Sequence, residues 1–275
     1  MTSLHKIIFS LVFGMIPGMV FSFVYQKDTI KLEPIDTLLG EYVYFDADPY
    51  GGNVYGVRQN ETTLVKMPSS YQYSNKNFGD LHAVDATNPF ELLLFYKDYQ
   101  RLVFLDRTLA EVGDLDLGAQ GVWDVKAVCL SKSNDLWLWE EVGFTLQKID
   151  KQGALLTQSR DLRLLLDTIP HFVRLQAYSD RVYALDENSG IYSFDINGQL
   201  DAFIPLTDIR NFFIFQNKIF MVGNGHLLVY NLASHNFDSL LIEYGTNIRE
   251  ARPTSKGVLL LVKDKIILYK EKTNG

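Results

Sequence analysis

Three places in the chain set acidic residues close enough together for general acid and base work: Glu140 with Glu141, Asp114 with Asp116, and Asp186 with Glu187. All three lie at corners rich in turn-forming residues, where carboxylates are ordinarily solvated, so the sequence assigns no catalytic residue. The five histidines, His5, His82, His171, His226 and His235, are scattered and show no His-x-x-x-His or comparable spacing. Residues 46–51 begin like a calcium loop with Asp46 and Asp48, but Tyr50 and Val57 stand at the fifth and twelfth positions, where oxygen ligands are required. The nucleophile elbow, the phosphate-cradling Gly-rich loop and the dinucleotide fingerprint are absent. Cys129 is the single cysteine and sits in the apolar run Ala127, Val128, Cys129, Leu130, which reads as a buried thiol packing as a small hydrophobe. The expectation is a protein with no metal, no cofactor and no enzymatic activity.

Binding residues are better represented. Tyr71, Tyr73, Phe78 and Tyr99 lie in polar segments where burial in a core is not obvious, and aromatic anchors of this kind mark protein interfaces. The formal net charge of -7, with no run of Lys or Arg longer than a pair, argues against a nucleic-acid partner or an anionic lipid surface.

The elements that must carry these residues are strands. Residues 180–198 read as strand, turn, strand, turn: Val182 to Leu185 suits a pleated strand, Asp186 to Gly190 is a turn, Ile191 to Phe194 returns, and Asp195 to Gly198 turns again. Variants of this unit recur along the chain. The residues just after the third strand of each unit, Pro68, Asp106, Asp150, Asp195, Asn231 and Lys270, follow one another at intervals of 38, 44, 45, 36 and 39. A four-stranded unit at a period of about 40 is the signature of propeller blades of the WD and related types. The sequence therefore predicts an all-β, six-bladed β-propeller, with five or seven blades as alternatives. The sixth unit ends on its third strand, whereas residues 28–34 form a strand without a unit. We expect residues 27–35 to complete the last blade and close the ring, removing an exposed edge. Residues 159–167 are expected to form a short connecting helix capped by Ser159 and stopped before Pro170.

At the start of the chain, His5 and Lys6 precede an uncharged apolar stretch over residues 7–23. This pattern predicts an export signal over residues 1–22 ahead of a propeller domain over 23–275, with an uncleaved anchor as the alternative. An exported, periplasmic protein of the cell envelope follows, with no lipid contact beyond such an anchor.

Residues 85–100, together with Leu105-Asp106-Arg107-Thr108-Leu109 and Leu162-Arg163-Leu164-Leu165-Leu166, resemble a group of exported β-propeller proteins of Bacteroidota cell envelopes, across blades two to five. Some members are accessory parts of the type IX (Por) secretion machinery. The resemblance implies a non-catalytic scaffold that engages a protein partner in the envelope, as part of a secretion complex. The alternative is a carbohydrate-binding or carbohydrate-active propeller that uses its central channel. Charged residues gathered at the channel mouth would keep that alternative open; an apolar or Gly-lined channel would remove it.

Overall fold

The computed structural model describes residues 29–272, apart from Ser70, Asp167 and residues 243–246. The expected export signal lies outside the described residues. No helix among them is long and apolar enough to cross a membrane.

Among the described residues twenty-four strands form six antiparallel blades, as the period predicts. Blade one contains Tyr42–Ala47, Val54–Arg58, Thr63–Met67 and Gln72–Ser74; blade two contains Ala83–Asp85, Glu91–Tyr96, Arg101–Asp106 and Glu111–Asp116. Blade three contains Val125–Leu130, Leu136–Glu140, Thr145–Ile149 and Leu155–Gln158. Blade four contains Phe172–Tyr178, Arg181–Asp186, Gly190–Asp195 and Leu200–Pro205, and blade five Ile209–Phe215, Lys218–Gly223, His226–Asn231 and Asn236–Ile242. Ile248–Thr254, Gly257–Val262 and Lys265–Glu271 make three strands of blade six, and Thr29–Leu38 supplies the fourth. In each blade the first strand is innermost, except that the N-terminal strand is the outermost of blade six.

The middle strands are apolar on both faces because each sheet packs against two neighbours. In Glu91–Tyr96, Leu92, Leu94 and Tyr96 join blade one, and Leu93 and Phe95 join blade three. Six apolar clusters fill the six gaps between successive blades. The last of them sets Tyr42 and Phe45 of blade one against Leu259, Leu261 and Ile266 of blade six, so the ring is closed by packing as well as by hydrogen bonds.

The N-terminal strand closes the ring as expected and reaches further than residue 35. It pairs antiparallel with the third strand of blade six, with Pro34 opposite Tyr269 and Thr37 opposite Ile267. Its other edge pairs in parallel with the outer strand of blade five, Ile30 facing Leu240 and Leu32 facing Ile242, which joins blades five and six into one eight-stranded sheet.

Two strands escape the sequence pattern. Gln72–Ser74 is short and polar, and Ile248–Thr254 carries Arg249, Glu250, Arg252 and Pro253, a composition that reads as a loop. The expected helix over 159–167 is instead one 3-10 turn, Leu162–Leu164. Asp161 caps it by accepting from the Arg163 N–H at 3.0 Å. The Ser159 hydroxyl is engaged elsewhere: it accepts from the Leu146 N–H and donates to the Arg160 carbonyl.

Candidate functional site: the central channel and its entry face

The inner strands surround a central channel, and they all start at the same end of it, here the entry face. The N-terminal part of every inner strand carries one extra residue. Register shifts isolate Val43, Lys126, Val173, Arg210 and Arg249. In blade two His82 plays that part, its N–H donating to the same Phe95 carbonyl group that lies across from Ala83. A bulge re-aims the side chain it inserts. Four of these six residues, His82, Lys126, Arg210 and Arg249, carry basic side chains. Desolvation in the concave mouth, reinforced by Lys97, holds the His82 imidazole below its usual pKa.

Deeper in the channel, one position of each inner strand forms a buried ring: Asp46, Asp85, Cys129, Gln176, Phe213 and Arg252. Where these side chains are polar they clamp the next blade. Asp46 accepts from the Ala86 N–H at 2.9 Å, and Asp85 accepts from the Leu130 N–H at 2.7 Å. Gln176 accepts from the Ile214 N–H at 2.8 Å and donates to the Ile214 carbonyl at 3.1 Å. Cys129 accepts from Ala177, and burial pushes its thiol pKa well up. Blade six offers Pro253 at the matching place, which has no N–H to give, and blade five accordingly presents Phe213.

Arg252 completes the circle. It is fully buried; its Nε lies 2.5 Å from Asp46 Oδ1 and one Nη lies 3.1 Å from Glu250 Oε2. The guanidinium also stacks near the rings of Tyr44, Phe45 and Phe213. Burial opposes its charge, but Asp46, Tyr44 and Glu250 together outweigh burial and hold its pKa above the ordinary value. For Glu250 burial wins over Arg252 and Arg174, and its pKa is raised; burial and then Asp46 do the same to Asp85.

Above this ring lies a cavity of about 480 Å³ that opens to the entry face. Arg174 of blade four spans it, one Nη donating to the Tyr44 hydroxyl of blade one at 3.2 Å. Tyr44 also accepts from Arg252 at 3.2 Å, so one phenol bridges two guanidinium groups. Lys97, Lys126, Glu141 and Glu187 stand around the mouth. The channel is thus charged and polar, which keeps a channel ligand open as a reading.

The acid pairs divide between structure and surface. Glu140 accepts from the Val142 and Gly143 N–H groups and so shapes its own turn, whereas Glu141 turns to the mouth, 3.2 Å from His171 Nδ1 and 3.8 Å from Lys126 Nζ. Asp114 and Asp116 both hold Arg101. Asp186 accepts from the Asn188 and His171 N–H groups, leaving Glu187 at the mouth. Residues 46–51 make a turn in which Asp48 accepts from the Tyr50 and Gly51 N–H groups.

Of the four aromatic candidates, Phe78 and Tyr99 meet on the entry face with ring centroids 6.5 Å apart. Phe78 is half-buried against Tyr96, and Tyr99 is exposed. Tyr73 is half-buried on the outer strand of blade one, its hydroxyl 2.9 Å from Glu111 Oε2. Tyr71 is exposed in the turn between the third and fourth strands of blade one, which lies at the opposite face.

Five more exposed apolar residues stand on loops of the entry face in blades three and four. Trp123, Val142, Leu164, Leu165 and Ile169 are all between 47% and 80% exposed. Backbone hydrogen bonds hold their loops side by side, Glu141 N–H to the Asp124 carbonyl at 3.3 Å and Leu162 N–H to the Phe144 carbonyl at 3.0 Å. Sequence patterning missed them because Leu164 and Leu165 imitate the buried face of a helix, and Trp123 stands next to an inner strand.

No protein-family model matches the chain. No curated protein matches it in sequence. Solved structures share its fold: the WD40 domain of Neurospora crassa Pan2 superposes with a TM-score of 0.60 at 8% identity, covering 90% of this chain and 96% of that one. Virginiamycin B lyase from Staphylococcus aureus gives 0.58 at 11% identity, with 83% and 80% covered. A protein of unknown function from Bacteroides caccae gives 0.52 at 12% identity, with 83% and 82% covered. The sheet topology gives six blades among the described residues, and these likenesses of fold agree with the class: the chain is a β-propeller.

Proposed function

We propose that the protein is an exported, non-catalytic propeller that docks a protein partner of the cell envelope through its entry face, in the setting of a type IX secretion complex. The observation that carries this reading is the exposure of Trp123, Val142, Leu164, Leu165 and Ile169 on loops of one face, two pairs of which are joined by backbone hydrogen bonds, since exposed apolar residues gathered on one face mark interaction surfaces. The setting rests on the apolar N-terminal stretch and on the resemblance over blades two to five. Support for the absence of catalysis comes from the deep channel acids, Asp46 and Asp85, which are occupied in clamping backbone N–H groups of the next blade. The likeness to virginiamycin B lyase, at 11% identity, is one of fold.

Crosslinking in intact envelopes at native expression tests the reading. One protein of the secretion machinery is expected to be recovered in stoichiometric amount with the wild-type chain, and to be lost from a Val142→Asp, Leu164→Asp variant whose thermal unfolding matches wild type. Recovery of the chain alone, or a partner indifferent to both substitutions, overturns it.

A further inference from the structure

We propose that the end of the channel opposite the entry face binds a neutral oligosaccharide, in a cavity of about 550 Å³ walled by aromatic rings and uncharged polar groups. The inference goes beyond the docking of a protein partner and concerns the other face of the ring.

The cavity is built by the turns that join the first and second strands of blades one to four, together with the end of the inner strand of blade five. Its most exposed rings are Tyr50 and Phe90, at 65% and 70%. Neither sits on a loose loop. Asp48 accepts from the Tyr50 and Gly51 N–H groups, and Ser255 of blade six donates its N–H to the Pro49 carbonyl at 2.9 Å and its hydroxyl to the Tyr50 carbonyl at 3.3 Å. The Tyr50 ring meets Phe215 edge-on, with centroids 5.4 Å apart. The Phe90 N–H donates to Asn88 Oδ1 at 2.9 Å, and Asn88 Nδ2 donates in turn to Asn134 Oδ1 at 2.7 Å. The Arg107 guanidinium lies over the Phe90 ring, 5.6 Å from its centroid, but stands outside the cavity lining, so it leaves the second face of that ring uncovered. Rings held in water by a fixed backbone are platforms whose ordering cost has already been met. The negative face of such a ring attracts the weakly positive C–H groups on one side of a pyranose.

The polar groups of the same lining suit sugar hydroxyls. Asn134 commits its Oδ1 to Asn88, which leaves its Nδ2 with hydrogens to give; the hydroxyls of Tyr50 and Ser179 and the Lys132 ammonium have no hydrogen-bond partner among the described residues. Hydroxyl groups both donate and accept, as a sugar hydroxyl requires of its partner. Charge narrows the class. Lys132 is the one charged side chain of this lining among the described residues, and it is exposed, whereas Lys97, Lys126, Glu141 and Glu187 crowd the entry mouth. A cation finds no carboxylate here, and a single lysine in water is a weak anchor for an anion. A hydrocarbon would desolvate the amide and hydroxyls without replacing their hydrogen bonds. A neutral polyhydroxyl compound with C–H faces satisfies both the rings and the polar groups.

The space continues past one sugar ring. A second cavity of about 350 Å³ shares Ser131, Lys132, Ser133, Ala177 and Ser179 with the first and runs on to Ile196. Its charges cancel: Lys148 pairs with Asp135 at 3.0 Å, Arg181 pairs with Asp201 at 2.6 Å, and Asp180 offsets Lys132. Cavities of this size hold molecules of drug size, which accommodates two or more sugar rings.

Saturation-transfer NMR and titration calorimetry of the purified full chain with cellobiose, maltose, mannobiose and N,N′-diacetylchitobiose test the assignment. At least one of these sugars is expected to bind saturably at concentrations up to about 10 mM. Its affinity should be the same in about 0.05 M and about 0.3 M sodium chloride, because the ligand is uncharged. Tyr50→Ala and Phe90→Ala should each weaken it by about fivefold or more, as the loss of one stacked ring predicts. The entry-face variant Val142→Asp, Leu164→Asp should bind it as wild type does, which separates this site from the docking face. No saturable binding of any of the sugars, an affinity that falls with salt, loss of binding in the entry-face variant, or an affinity unchanged in Tyr50→Ala or in Phe90→Ala overturns the proposal. Both rings are exposed and both variants are checked by thermal unfolding; should one not fold, the other decides.

Discussion

Arg252 is the residue on which the inner ring turns, because it satisfies the buried carboxylate of Asp46, the half-buried one of Glu250 and three aromatic faces from one guanidinium plane. Removing it strands Asp46 and Glu250 in a low-dielectric channel. Arg252→Met is therefore expected to cost about 3–5 kcal/mol in urea unfolding. Adding Asp46→Asn removes one of the stranded charges while preserving an acceptor for the Ala86 N–H, so the double variant should be more stable than Arg252→Met alone. An Arg252→Met protein within about 1 kcal/mol of wild type would show that the ion pair holds nothing together. None of this is visible in the sequence, where Arg-Pro in a charged stretch looks like solvated loop. Asp46 is equally disguised, since it resembles the first ligand of a calcium loop and is instead half of an ion pair with a residue 206 positions away.

At the scale of the element, the unit over residues 180–198 was legible almost residue by residue. Alternation and turn chemistry act over a few residues, and the strands Arg181–Asp186 and Gly190–Asp195 appear where Val182, Leu185, Ile191 and Phe194 place them. Gly190 is required rather than merely tolerated. Its φ is +135°, and a Cβ there would come 2.2 Å from the Ile204 carbonyl oxygen of the outer strand. Gly190→Ala should thus cost about 1–3 kcal/mol by chemical denaturation, against the small gain that alanine brings to an unstrained glycine site. A neutral outcome would mean that the outer strand, Leu200–Pro205, moves aside without penalty. The bulges near the start of the inner strands were hidden, because an inserted residue such as Lys126 or Arg210 differs from its neighbours only by its register against the second strand.

For the whole molecule, closure is the decisive event. The N-terminal strand pairs with blade six on one edge and blade five on the other, so removing residues 1–38 exposes two edges at once and takes Leu32 out of the cluster it shares with Val222, Leu227 and Leu260. The truncated chain is expected to melt at a lower temperature than the full chain and to self-associate in sedimentation velocity; a monomer with unchanged melting would deny the strand its closing role. By itself the sequence determined the all-β class, the period of about 40 and the lone strand that must complete the last unit, since these depend on local alternation and on counting. The tertiary structure alone decided which polar residues meet in the channel. Tyr44, Asp46, Arg174, Asn211, Glu250 and Arg252 come from four blades, and only the curvature of the closed ring sets them within hydrogen-bonding distance of one another.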